Sequence, residues 1–219
     1  MAALLRPVFH LLLVATLTGG ARAADEGLHA AAARSDGAAV KRLIAAGAPL
    51  EARDARGRTA LLVATDVNAI EVARLLIAAG ADVNARDAIS DSPYRLAGAR
   101  GHVEILRATL AAGADLRSTN RYGGTALTPA CHYGHVEAVR ELVRARIDLD
   151  HVNRLGWTCL LEAVILGHGG TRHVEIVRTV LAAGANPDIA DRQGVSPLAH
   201  ALARGQTEVA AALRRAGAR

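Results

Sequence analysis

The hydrophobic and polar positions of this 219-residue chain follow one pattern that returns at a fixed interval. A hydroxyl residue opens a short apolar run, a second apolar run follows with helical spacing, and a Gly-Ala pair closes the unit. The opening hydroxyls lie 33 residues apart, with a last step of 38, at Thr59, Ser92, Thr125, Thr158 and Ser196. The closing glycines keep this step, with one interval of 71 residues that spans two units, at Gly47, Gly80, Gly113, Gly184 and Gly217. Such a period predicts a stacked array in which neighbouring units share a core.

Each unit predicts a helix, a tight turn, a second helix and an extended loop. Thr59 is placed to cap its first helix, and Pro93 and Pro197 follow their serines at the first helical position. The stretch 70–77 has apolar residues at helical spacing, and Gly80 supplies the left-handed residue that ends this helix. We therefore expect an all-α solenoid of helix-turn-helix units with β-hairpin-like finger loops between them.

The repeated motif resembles the ankyrin repeat, which reads D-x-x-G-x-T-P-L-H-x-A-A, then G-H-x-E-x-V-x-x-L-L, then G-A-D-V-N-A. The second half is matched by Gly101-His-Val-Glu104 with Gly113-Ala-Asp-Leu116, by Gly134-His-Val-Glu137, and by His173-Val-Glu175 with Gly184-Ala-Asn186. The resemblance covers residues 24–219 as one domain of about six repeats, placed at 24–56, 57–89, 90–122, 123–155, 156–193 and 194–219. It implies a module that binds proteins through its concave face, which the fingers and the first helices form.

The amino terminus carries a separate signal. Arg6 precedes a largely apolar run over 8–17, and Ala21-Arg22-Ala23 fits a small-x-small cleavage site, which predicts a secretory signal peptide over residues 1–23. The alternative is a membrane anchor, but the run of about ten residues is shorter than the ~20 that span a bilayer. The repeat phase counted back from Thr59 reaches Glu26, just after the cut. We expect a periplasmic protein, similar to the exported ankyrin proteins of Gram-negative bacteria.

The charge pattern bears on the partners. The chain has 26 basic and 21 acidic side chains, and loss of Arg6 and Arg22 with the leader leaves 24 basic groups, a net charge of +3. Acids and bases alternate along the helices, without the basic run that nucleic acid binding favours. We expect a monomer that binds a protein partner, with no nucleic acid and no membrane after cleavage.

Cys131 and Cys159 are the two cysteines of the chain. Cys159 follows its repeat's hydroxyl residue by one position, whereas Cys131 follows its own by six. If neighbouring first helices lie in register about 10 Å apart, this offset adds about 7.5 Å of helical rise. The Cα atoms would then exceed the ~7 Å limit for a disulfide. This reasoning predicts two buried free thiols.

Three departures from the motif mark special places. Arg146 stands where the closing glycine is expected, so it should adopt an uncommon left-handed conformation. Pro129 falls in the first turn of its helix. The fifth repeat gains five residues, and we expect a flexible insertion at 167–172 on the edge opposite the fingers.

Catalytic and metal chemistry is not indicated. Neither a G-x-S-x-G motif nor a phosphate-cradling glycine loop occurs, and no nucleophile has an evident base, so we predict no enzyme, no cofactor and no catalytic residue. His135 and His173 fill the Gly-His position of the motif, where the ring braces a loop, and we predict no metal ligand. Two alternatives remain: an antitoxin or immunity-like inhibitor of an exported enzyme, and a small-ligand or metal binder that uses His132, His151 and His168.

The aromatic residues indicate a partner site. Beyond the leader they are Tyr94, Tyr122, Tyr133 and Trp157, and Tyr94 occupies the core leucine position of its repeat. The other three occupy positions that the ankyrin resemblance assigns to binding, and interface hot spots are rich in aromatics and Arg. The predicted partner-binding residues are Arg121, Tyr122, His132, Tyr133, Arg154, Leu155, Trp157, Ile165 and Leu166. The alternative is that Trp157 and Tyr122 only pack finger against finger.

Overall fold

A computed structural model describes residues 27–219, so the predicted signal peptide and Glu26 lie outside the described range. This range is helical and contains no strand, which confirms the expected all-α class. None of its helices is long and apolar enough to cross a lipid bilayer. In chain order the helices are α1 (27–33), α2 (Gly37–Ala45), α3 (Ala60–Asp66), α4 (Ile70–Ala78), α5 (Pro93–Arg100), α6 (Val103–Ala111), α7 (Leu127–His132), α8 (Val136–Arg144), α9 (Cys159–Ile165), α10 (Thr171–Ala182), α11 (Pro197–Ala203) and α12 (Thr207–Arg215).

The helices form two layers. The odd-numbered helices are the first helices of the repeats and pack on one another in order, from α3 on α5 to α9 on α11. The even-numbered helices pack in the same order in the second layer, from α2 on α4 to α10 on α12. Because each repeat contacts its neighbours in sequence, the fold is a solenoid, as the repeat period predicts.

One hydrophobic core runs along the whole stack, from Leu28 in α1 to Leu213 in α12, and both of these side chains are fully buried. Tyr94 at the core leucine position is also fully buried, as expected. Full burial of a leucine side chain such as Leu28 contributes about 1.5–3 kcal/mol to the stability of the folded protein.

The repeated hydroxyl residues cap the first helices, as the sequence predicts. The side chain of Thr59 accepts a hydrogen bond from the backbone N–H of Leu62, at 3.2 Å, and Ser92, Thr158 and Ser196 cap their helices in the same way. Repeat 4 differs because Pro129, at the third position of α7, has no N–H for the Thr125 carbonyl. The helix there begins only at residue 127, and the buried Thr125 hydroxyl has no hydrogen-bond partner in the described chain.

The helix ends confirm the predicted left-handed residues. Gly80 ends its unit at φ 96°, and Arg146 takes the equivalent place at φ 61°. Arg146 is exposed, so its side chain does not force this conformation through burial. Backbone hydrogen bonds at the helix end hold it instead, since the N–H of Arg146 donates to the Val143 carbonyl at 2.9 Å and that of Ile147 to the Leu142 carbonyl at 3.2 Å.

The prediction of free thiols is wrong, because Cys131 and Cys159 form a disulfide with 5.5 Å between their Cα atoms. Neighbouring first helices are staggered rather than in register. The sixth residue after the hydroxyl of one repeat therefore faces the first residue after the hydroxyl of the next. The same relation places Gly98 against Ala126, where a Cβ added to Gly98 would lie 3.0 Å from that of Ala126. The stagger cancels the helical rise that in-register stacking would have placed between the two cysteines.

Three of the five extra residues of repeat 5 lengthen its second helix. α10 has 12 residues where α8 has nine, because α8 begins just after the histidine of its Gly-His position, whereas α10 begins at Thr171, two residues before the equivalent His173. The remaining loop meets repeat 6, where the Gln206 side chain donates to the carbonyls of Val164 at 3.0 Å and Gly167 at 3.2 Å. The insertion follows the carboxyl end of α9, whereas the fingers lead into the amino ends of the first helices.

Candidate functional site

Each finger is built on a side chain that imitates a turn. In the finger that leads into repeat 5, the Asn153 Oδ1 atom accepts hydrogen bonds from the backbone N–H groups of Leu155 at 2.9 Å and Trp157 at 3.1 Å. The backbone N–H of Asn153 also donates to the carbonyl of Trp157 at 3.0 Å. Asn and Asp favour such turns because their short side chains reach the backbone two residues on. The equivalent turn residues are Asp54, Asp87, Asn120 and Asp191.

These turns present one residue at each fingertip, two positions after the Asn or Asp. The fingertip residues are Arg56, Ile89, Tyr122, Leu155 and Gln193. Adjacent fingers are joined by backbone contacts: the N–H of Arg154 donates to the Tyr122 carbonyl at 2.8 Å, and the Arg154 guanidinium donates to the Arg121 carbonyl at 2.9 Å. The Arg192 side chain donates in turn to the Arg154 carbonyl. The three fingers that lead into repeats 4, 5 and 6 therefore form one continuous rim.

A groove of about 250 Å³ lies behind this rim, between repeats 4 and 5. We call it the tyrosine groove; its lining comprises Asn120, Tyr122, Gly124, Thr128, Pro129, His132, Tyr133, Asn153, Leu155 and Glu162. Four of these were predicted as partner-binding residues from the sequence. Tyr122, Tyr133 and Leu155 are 51%, 59% and 48% exposed, although apolar side chains of this size are usually buried. The groove thus has apolar walls that reach solvent.

Ring contacts orient the walls of the groove. The His132 and Tyr133 rings stack, with centroids 4.2 Å apart and planes 14° apart. The Arg121 guanidinium carbon lies 4.8 Å from the centroid of the Tyr122 ring, within the range of a cation–π contact. Both tyrosines are therefore held beside the groove by neighbours on their own repeat.

A buried carboxyl group forms part of the groove floor. Glu162 is only 7% exposed, and its Oε1 atom accepts a hydrogen bond from the Asn153 side chain at 2.9 Å. Burial raises the pKa of Glu162 to about 7, and the bond from Asn153 offsets only part of this effect. The carboxyl is therefore partly protonated at neutral pH.

His132 is the ionisable neighbour of this carboxyl, with its Nδ1 atom 3.7 Å from Glu162 Oε2. Burial lowers the pKa of His132, and the charge of His173 lowers it further. At 3.7 Å the attraction between the two groups is too weak to offset the loss of hydration of either one. Near neutral pH the pair is therefore mainly a polar contact and not a fixed ion pair.

The remaining predicted residues lie around the groove rather than in it. Arg121 and Arg154 are exposed on the finger rim. Trp157 is half-buried at the base of its finger and lies outside the groove lining. Ile165 and Leu166 are half-buried at the carboxyl end of α9. The structure thus brings the two tyrosines, Leu155 and His132 together around the groove, but not Trp157.

Glu162 and Asn153 were not among the predicted residues. A signal for Glu162 was present, because the same position holds only apolar residues in the first four repeats, namely Ala30, Val63, Leu96 and Pro129. A carboxylate inside an otherwise apolar helix is expensive to bury, so it stands out as a candidate functional group. Asn153 carried no such signal, since every finger has Asn or Asp at its position.

A second groove, of about 350 Å³, lies between repeats 2 and 3 and has a different character. Its charged side chains neutralise one another: Asp66 lies 3.4 Å from the guanidinium of Arg58 and 2.7 Å from that of Arg100. The fingertip residue of this groove is Ile89, and none of its lining residues is aromatic. Apolar side chains and a carboxyl group without a cationic partner therefore distinguish the tyrosine groove.

The histidines mostly brace the backbone. The His173 Nε2 atom lies 2.9 Å from the His132 carbonyl, and the His135 ring packs so closely on Gly101 that a Cβ there would lie 2.7 Å from it. This confirms the bracing role predicted for the Gly-His position. The His151 Nε2 atom lies 2.6 Å from the Gly123 carbonyl. Across residues 27–219, no three His, Cys, Asp or Glu side chains are grouped as metal ligands would be.

Comparisons with known proteins agree with this architecture. The family model described as "Ankyrin repeats (3 copies)" matches residues 2–87 and 95–191. The chain is similar to an ankyrin repeat domain from Acinetobacter baumannii AYE, with 55% identity and a TM-score of 0.85 over 88% of this chain and 98% of that one. It is also similar to the ankyrin repeat protein EF0377, with 38% identity and a TM-score of 0.84 over 87% of this chain and 98% of that one.

A third solved structure is the ankyrin repeat domain of Bcl-3, a member of the IkappaB protein family. It is 30% identical, with a TM-score of 0.79 over 88% of this chain and 86% of that one. None of the curated proteins matches the chain. From the family match, which covers most of its length, and from its stacked helix pairs and fingers, the chain belongs to the ankyrin repeat family.

Proposed function

We propose that this protein is an exported, non-enzymatic module that binds a partner protein through the tyrosine groove and the adjoining finger rim. Ankyrin repeats generally mediate protein–protein interaction. The observation that carries the choice of surface is the exposure of Tyr122, Tyr133 and Leu155 around one groove. Exposed aromatics beside a pocket are typical of interface hot spots, and a rigid repeat array presents them with little ordering cost.

Two observations support export to the periplasm. The sequence at residues 1–23 has the features of a cleavable leader. In addition, Cys131 and Cys159 are joined across two repeats, and disulfides of this kind persist mainly in oxidising compartments. We therefore propose a mature protein that begins at Ala24.

A pull-down from periplasmic extract would identify the partner, and its affinity for variants would locate the surface. Tyr133→Ala should weaken binding about 30-fold, because truncation of a central aromatic costs about 2 kcal/mol or more. Leu155→Ala should also weaken it. The matched control is Ile89→Ala, at the same fingertip position two repeats earlier and 52% exposed, which should bind like wild type.

The same experiment can contradict the proposal. If Tyr133→Ala and Leu155→Ala both bind like wild type while their thermal melts are unchanged, the partner uses another surface. If Ile89→Ala alone weakens binding, the groove between repeats 2 and 3 is the site. A captured enzyme that one equivalent of this protein inhibits would identify an immunity-like inhibitor.

A further inference from the structure

The floor of the tyrosine groove holds a carboxyl group whose bonding is incomplete. Glu162 Oε1 is engaged by Asn153, but Oε2 makes no hydrogen bond to any residue in 27–219. The side chain lines the groove and is 9% exposed. Its exposed part therefore faces the groove, where a ligand could reach it. A buried carboxylate is stabilised most by a cation that also donates hydrogen bonds.

The walls of the groove suit a flat cation. Tyr122 already holds the guanidinium of Arg121 on its ring, which demonstrates that this ring accepts such a group. The exposed Tyr133 ring and the Leu155 side chain supply further surface for the apolar stem of a long side chain. The planar guanidinium group of arginine can donate two parallel N–H hydrogen bonds to a carboxylate, and it can also stack on aromatic rings.

We propose that the tyrosine groove receives an arginine side chain of the partner protein, with its guanidinium on Glu162 and its stem against Tyr122, Tyr133 and Leu155. This rests on the proposed function and specifies the chemistry of the partner. Arg121 and Arg154 on the rim oppose an incoming cation, but both are exposed, so solvent and salt screen their repulsion.

The proposed contact is linked to protonation. The ionisable groups that line the groove with Glu162 are Tyr122 on the finger that leads into repeat 4 and His132 and Tyr133 at the end of α7, while Asn153 is neutral. An arginine binds only the ionised carboxylate, whereas burial raises the pKa of Glu162 to about 7. The fraction of the protein in which Glu162 is ionised, and with it the affinity for arginine, should therefore rise about tenfold from pH 6 to pH 8. Burial lowers the pKa of His132, so its charged form is less populated over this range than that of an ordinary histidine.

The test uses N-acetyl-L-argininamide as the probe and the neutral analogue N-acetyl-L-citrullinamide as its control. Each is titrated into the purified, 15N-labelled protein, and amide chemical shifts are followed at pH 6 and pH 8. We expect the arginine probe to move signals around Glu162, Tyr122 and His132, with about tenfold tighter binding at pH 8. The citrulline analogue should leave them in place.

Variants assign the effect to the carboxylate. Glu162→Gln keeps the acceptor for Asn153 but removes the charge, and should weaken arginine binding at pH 8 by about tenfold or more. The matched control is Glu137→Gln, at an exposed position of α8 whose carboxylate pairs with Arg140. It should bind like wild type. If Glu162→Gln fails to fold, Tyr122→Leu at the exposed wall replaces it and should weaken binding several-fold.

Equal binding of the citrulline analogue, unchanged binding by Glu162→Gln, or no shifts with either probe would overturn the arginine proposal. These results leave the proposed function separately testable. A partner lost with Leu155→Ala but retained with Glu162→Gln would keep the docking surface and reject the arginine contact. A partner unaffected by either variant would reject the surface as well.

Discussion

Replacement of the buried Glu162 by Gln should make the protein more stable at alkaline pH but not at acidic pH. Glutamine has nearly the same volume, and its amide oxygen can still accept the hydrogen bond from Asn153, which is 2.9 Å long in the native protein. The substitution therefore removes the ionisable group with little change in packing. Any pH-dependent difference between the two proteins then reports on this carboxyl.

The magnitude follows from the proton affinity of the carboxyl group. Burial raises its pKa from 4.5 to about 7, so the folded protein binds the proton more tightly than the unfolded chain does. The resulting stabilisation is fully present below pH 4.5 and is lost as the pH rises through 7. Between pH 5 and pH 8 wild type should lose about 2–3 kcal/mol relative to Glu162→Gln. For a protein of this size, that is a shift of about 5–10 °C in midpoint.

The assay is a set of urea or thermal melts of both proteins at pH 5, 6, 7 and 8. Ionisable groups remote from residue 162 are present in both proteins, so their effects cancel in the difference. Glu137→Gln, on the exposed face of α8, is the control, and its difference from wild type should stay constant over the range. Parallel pH dependences of wild type and Glu162→Gln would refute the assignment of a raised pKa to this residue.

Three further predictions concern the backbone, the disulfide and export. Arg146→Gly should raise stability by about 0.5–1 kcal/mol in denaturant melts, because relief of the left-handed conformation exceeds the extra entropy of glycine in the unfolded chain. Gly113→Arg at the same place one repeat earlier should do the reverse, and equal effects of the same sign would contradict the argument. The unfolded, unreduced protein should show no reactive thiol, and joint replacement of Cys131 and Cys159 by Ser should cost about 3–4 kcal/mol for a sequence separation of 28 residues; one or two titratable thiols would contradict the disulfide. Mass spectrometry of the periplasmic product should give a chain that starts at Ala24, and intact Met1 in the cytoplasm would exclude export.

Much of the fold could be predicted because its determinants are local. The hydroxyl cap at Thr59 and the left-handed positions of Gly80 and Arg146 depend on the hydrogen bonds and dihedral angles of a few adjacent residues. The repeat period then requires stacking, since no single unit can bury its own apolar face. The exception at Thr125 was also local in origin, since Pro129 lacks the N–H that would complete the first turn.

The candidate site could be predicted only in part. Tyr122, Tyr133 and Leu155 were placed near one another because the repeat frame assigns them to a fingertip or to the end of a first helix. The same frame assigned Trp157 to the partner-binding residues, but the structure half-buries it outside the groove lining. Whether a side chain at the base of a finger turns toward a groove depends on packing between repeats, which the frame does not describe.

The sequence by itself therefore determined the class of fold, the stacking of the repeats, the caps and the left-handed position of Arg146, because each depends on residue type and spacing along the chain. The tertiary structure alone decided two features. The stagger between neighbouring first helices brought Cys131 and Cys159 together, against the in-register expectation. The packing of α7 and α9 beneath the fingers buried Glu162 between Asn153 and His132 and so raised its proton affinity. Both features depend on how far one repeat is displaced against the next and on the exclusion of water between them. The local residue pattern of a single repeat specifies neither the displacement nor the exclusion of water.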